Sequence, residues 1–160
     1  MAITADKNRP VRLEGNLIKR KYGLVGYTNL GSGSEAQTLY KGAIIAMDVS
    51  DVDGYVQTVP GTAAVGDIFA GIAAHQQKTD SSLTADGAVE MSVYVNGVWG
   101  FAVGSLAVTD IGANAFASDN DTITTTATGN LHVGVIVDVD ATYVWVDISQ
   151  QAGRPSAATT

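Results

Sequence analysis

Val89, Met91, Val93 and Val95 alternate with Glu90, Ser92 and Tyr94. A period of two puts one set on each face of an extended chain, so this stretch reads as a strand and not as a helix. Asn96-Gly97 follows. That pair suits a two-residue type I′ turn, because both residues tolerate positive φ. Residues 98–103 are then expected to return as the second strand of a hairpin, with Trp99, Phe101 and Val103 on one face. The pattern recurs near the C-terminus. Val133, Val135, Val137 and Val139 alternate with His132, Gly134, Ile136 and Asp138; Asp140-Ala141-Thr142 turns the chain; Val144, Val146 and Ile148 alternate with Tyr143, Trp145 and Asp147.

Helical periodicity is nearly absent elsewhere, and β-branched residues dominate the apolar set. Strands are expected over 39–49 and 55–59, and a short turn or strand over 113–118. Residues 68–75 are apolar on both faces, which predicts a central strand. The stretch 91–109 is uncharged and long enough to span a bilayer, but Asn96-Gly97, Gly100, Gly104 and its alternation fit strands instead. Many short strands between turn signals predict an all-β fold, a compact antiparallel β-sandwich or small β-barrel with an extended N-terminal arm. The expected division is a basic arm and flexible loop over 1–38, a β domain over 39–149 and a small polar tail over 150–160. At 160 residues the chain is long enough to fold without disulfides or metal, and it has no cysteine.

Charge is sparse and uneven. Charged residues make up 16% of the chain, so much of its surface is Thr, Ser, Ala, Gly and Asn and is cheap to desolvate. Residues 1–21 hold six bases against two acids, a net of +4; the remainder holds three against fourteen, −11. An acidic body argues against nucleic-acid binding by the folded domain. The arm's bases (Lys7, Arg9, Arg12, Lys19, Arg20 and Lys21) are interleaved with Val11, Leu13, Leu17 and Ile18. That composition predicts an extended segment that leaves its own domain and lies on an acidic neighbouring surface. The first seven residues hold no apolar stretch, so no secretory signal is expected.

A search for chemistry finds little. His75 and His132 belong to no metal-like cluster, there is no G-x-S-x-G and no G-K-[ST], and Asp51-Val52-Asp53-Gly54 lacks the first and last ligands of a calcium loop. Gly31-Ser32-Gly33-Ser34 reads as a flexible loop. Asn120-Asp121-Thr122 matches a glycosylation acceptor by chance. Asp138 and Asp140 flank a turn, where exposure and not acid–base work is the ordinary case. No enzymatic activity, metal or cofactor is expected. Tyr143 and Trp145 oppose an apolar stripe, and large aromatics on an outer face mark interfaces.

The order of elements resembles the tailed-phage head decoration, or capsid cement, proteins. The residues that carry the resemblance are the run from Tyr40 to Met47, Gly54-Tyr55-Val56, Ile68-Phe69-Ala70-Gly71-Ile72-Ala73, Asp86-Gly87-Ala88-Val89 leading to Asn96-Gly97-Val98, Thr109-Asp110-Ile111-Gly112, the run from Ala117 to Ile123, and the run from Gly134 to Asp140. The resemblance spans roughly residues 39–148. It implies a non-enzymatic virion protein, made in the host cytoplasm, on the outer surface of the head. Its partners would be the major capsid protein and itself, as a homotrimer, with no membrane. Lys7, Arg9, Arg12, Leu13, Leu17, Lys19, Arg20, Lys21, Tyr143 and Trp145 are the expected subunit or capsid contacts. Other readings are a tail-tube or similar virion subunit and a carbohydrate-binding β module.

Overall fold

A computed structural model describes residues 2–14, 17–22, 38–47, 56–59, 63, 66–78, 89–152 and 154. They form thirteen strands: β1 (Val11–Glu14), β2 (Leu17–Tyr22), β3 (Thr38–Leu39), β4 (Ile44–Met47), β5 (Gln57–Thr58), β6 (Ile68–Ala73), β7 (Gln77–Lys78), β8 (Val89–Tyr94), β9 (Gly97–Ala102), β10 (Asn114–Ala117), β11 (Ile123–Thr124), β12 (Leu131–Val139) and β13 (Tyr143–Asp147). One sheet runs β1-β9-β13-β12-β10-β11, a second runs β2-β8-β6-β4-β5, and β3 pairs with β7. Among the described residues neither large sheet closes on itself, and the sheets pack as an all-β, sandwich-like fold.

The core between the two large sheets joins Ile44, Phe69 and Ile72 of the five-stranded sheet to Phe101, Ile136, Val144 and Val146 of the six-stranded one. A second cluster of Ile3, Leu39, Ala43, Ile45, Ala70, Met91 and Val93 lies outside that core. β4 and β6 of the five-stranded sheet are therefore buried on both faces. β6 sits third of five, the central place its two-sided apolarity predicts.

The C-terminal hairpin forms as expected. β12 pairs with β13, and the 140–142 turn is closed by Asp140, whose backbone N–H donates to the Tyr143 carbonyl. Its carboxylate accepts from the N–H groups of Thr142 and Tyr143. The alternation within β12 is broken twice, because the register shifts between His132 and Gly134 against β10 and between Ile136 and Asp138 against β13. Ile136 is buried and Val137 exposed, the reverse of the phase that a uniform strand would give.

The Asn96-Gly97 hairpin does not form. β8 pairs with β2 and β6, while β9 pairs with β1 and β13 in the other sheet. A strand has two edges, and both edges of β8 are taken. Asn96-Gly97 is instead the corner at which the chain changes sheets. Gly97, at φ 107°, donates its N–H to Ser149 Oγ (3.1 Å) and accepts from the Ile148 N–H.

The 39–49 expectation also needs correction, since a turn at Lys41-Gly42 separates β3 from β4. The largest correction concerns the arm. It is extended, but its described residues do not leave their domain: β1 is an edge strand of one sheet and β2 of the other. The expectations for 23–37, 48–49, 51–55, 86–88 and 155–160 fall outside the described residues.

Candidate functional site

The N-terminal segment carries most of the singled-out residues, and it builds two centres on its own domain. The Lys7 N–H donates to the Lys41 carbonyl (2.9 Å), laying the segment along the 41–42 turn. Gly42 makes this approach possible. Its φ is +82°, and a Cβ there would strike the Lys7 carbonyl oxygen. Arg9 then turns inward, and its side chain is only 1% exposed. Arg9 Nη2 lies 2.5 Å from Asp121 Oδ1, Nε donates to the Gly42 carbonyl, and the guanidinium stacks 4.0 Å above the Phe101 ring. Lys7 Nζ meets the other Asp121 oxygen at 2.7 Å. Burial pushes Arg9 below its ordinary value, and Asp121 opposes that shift. A guanidinium has so high a starting value that it stays charged.

Residues 119–122 hold Asp121 in place. The Asp119 carboxylate accepts from the N–H groups of Asp121 and Thr122 and from the Thr122 hydroxyl. Partial burial pushes Asp119 up, but those hydrogen bonds outweigh it and keep its carboxyl below the usual range. Asn120 is buried and accepts the Ile3 N–H at 2.8 Å. The sequence motif that matches a glycosylation acceptor is thus a buried anchor for the N-terminus.

The second centre lies on the outer face of the six-stranded sheet. Trp145 pairs in register with Gly100, so its ring lies over a position with no side chain. Pro10 covers the same glycine: a Cβ on Gly100 would sit 2.7 Å from Pro10 Cγ and 3.2 Å from the Trp145 ring. The Gly100 N–H donates to the Pro10 carbonyl (2.9 Å). Arg12 completes the cover, 4.0 Å above the Trp145 ring. Its guanidinium also bonds Asp138 Oδ2 and lies 3.7 Å from Asp140 Oδ2. Trp145 Nε1 donates to Asp140 Oδ2 (2.8 Å), and the Tyr143 ring is 5.7 Å away. The Arg12 hydrogen bond holds the Asp138 carboxyl below its ordinary value, and the Trp145 hydrogen bond does the same for Asp140.

The structure thus joins Arg12 to Tyr143 and Trp145, and Lys7 to Arg9. The side chains of Leu13, Leu17, Lys19, Arg20 and Lys21 lie outside the described residues. Their backbones pair with β9 (Leu13) and β8 (the other four). Trp145 faces away from the inter-sheet core, as the stripe pattern requires, yet it is only 7% exposed. Its cover is the chain's own segment 10–12. Sequence reasoning missed Asp121, Gly42 and Gly100, whose partners lie 30 to more than 100 residues away in the chain.

His132 packs on Phe116 (5.0 Å) with Nε2 3.0 Å from the Gly134 carbonyl oxygen, and burial lowers its pKa. Among the described residues no three His, Asp or Glu side chains converge as a metal site, and no helix is long and apolar enough to cross a membrane. Among the described residues the exposed large apolar side chains are Val11 of β1, Val108 and Ile111 around the 3-10 turn at Val108–Asp110, and Val137 on β12. That loop is tied to β12 by hydrogen bonds from Gly112 N–H to the Ile136 carbonyl and from Ile136 N–H to the Ala113 carbonyl. Comparison with protein-family models, curated proteins and solved structures finds no match for this chain.

Proposed function

We propose that this protein is a non-enzymatic virion component that decorates and stabilises the outer surface of an icosahedral phage head, acting as a homotrimer. The observation that carries the reading is where the family-like segments fall. Of the family-like segments, 40–47, 68–73 and 134–140 supply core strands of the sandwich, 96–98 its sheet-crossing corner and 117–123 the link from β10 to β11, while 109–112 is an exposed loop. The exposed Val108, Ile111 and Val137 offer apolar area for a contact that few ions obstruct.

The mechanism is multivalent. A trimer touching several capsid subunits adds weak contacts through effective concentration. A binder that engages only the assembled shell stabilises that shell by mass action. The test is to add the purified protein to expanded, undecorated phage heads and measure bound copies and shell melting. Saturable binding with a raised melting temperature is expected. No binding to any expanded head, or self-assembly of the isolated protein into long tubes, overturns the proposal.

A further inference from the structure

Between the 41–42 turn and the Tyr94–Trp99 pair lies a cleft of about 190 Å³. Its charged lining is Lys7, Arg9 and Lys41, with no carboxylate, in a chain whose net charge is −7. The nearby acids Asp6 and Asp121 line an adjoining depression instead. Asp121 already takes both Lys7 and Arg9, and Asp6 accepts the Lys41 backbone N–H at 3.0 Å. Among the described residues the Lys41 ammonium makes no ion pair, and the half-buried Tyr94 hydroxyl makes no hydrogen bond. The floor is Ile72, and Trp99 forms a wall with its ring 4.8 Å from that of Tyr94. The Trp99 indole N–H is committed to the Asn96 carbonyl (3.0 Å), so that ring is fixed.

We propose that this cleft binds an oxyanion, a carboxylate or phosphate group on a short stem. Lys41 is its charge partner and Tyr94 its neutral donor. A donor that is unpaired and partly shielded from water gains most from a charged acceptor. The volume fits a single such group, since sites for drug-sized ligands run to roughly 300–1,000 Å³. The apolar floor and Trp99 wall take the stem.

The test uses NMR of the full chain, following the Trp99 indole and the backbone amides of Lys41, Ala73 and Tyr94. Inorganic phosphate and N-acetylglutamate amide are titrated at constant ionic strength against a chloride control. Saturable shifts confined to the cleft are expected with at least one probe. Phosphate alone would mark a phosphoryl ligand; the glutamate side chain alone would mark an acidic protein side chain. Lys41→Gln and Tyr94→Phe should each weaken binding by about tenfold, the loss expected for one hydrogen bond to a charged group. Both variants keep the stem or ring that packs, so their spectra elsewhere should match the parent. Linear shifts with both probes, shifts equalled by chloride, or unchanged affinity in Lys41→Gln would overturn the proposal.

Discussion

Gly42 and Arg9 are the residues on which the N-terminal attachment turns. Gly42→Ala forces a side chain into the left-handed region and against the Lys7 carbonyl. A loss of about 1–3 kcal/mol is expected from strain alone, read by urea denaturation. Arg9→Met keeps an apolar stem over Phe101 but leaves the Gly42 carbonyl and one Asp121 oxygen without their partner. Breaking a buried pair this way should cost about 3 kcal/mol, and Arg9→Met with Asp121→Asn should recover part of it. Arg12 acts differently, because its ion pairs are exposed to solvent. The folded values of Asp138 and Asp140 lie below the ordinary 3.8. Their contribution is therefore complete above about pH 4 and is lost as pH falls through those lower values. Between pH 5 and 2, Trp145 fluorescence should shift toward that of a hydrated indole, and Arg12→Ala should show the shifted emission already at pH 7.

At the level of strands, what could be foreseen was whatever depends on near neighbours in the chain. The β12–β13 hairpin, its Asp140 turn and the two-sided burial of β6 follow from local alternation and turn chemistry. The β8–β9 corner does not. Its sequence favours a hairpin, but the edge that β9 would need is filled by strands from elsewhere in the chain. The role of Ser149 was equally hidden, since it acts 52 residues away on the Gly97 N–H. Ser149→Ala should cost about 1 kcal/mol, the usual worth of one such hydrogen bond, seen as faster hydrogen exchange at Gly97. The same limit applies to Trp145. Its pattern shows correctly that it faces outward, but not that Pro10 and Arg12 cover it.

Across the whole molecule, the basic segment and the acidic body do attract one another, but within one chain. Removing residues 2–21 would strip β1 from β9 and most of β2 from β8, and would uncover Trp145. The truncated chain is expected to melt at least several degrees lower and to self-associate through its bared edges, as light scattering would show. A phage-head contact made by this segment would have to use the side of it that faces solvent. The attachment also sets an order of events in synthesis. Ile3, Lys7 and Arg12 bind partners 117, 114 and 126 positions further along the chain. Residues 3–12 are thus made well before the partners that hold them, and they settle only once those partners exist. Such non-local closure belongs to slow-folding topologies, so this cationic segment cannot complete its ion pairs until the final hairpin has been made.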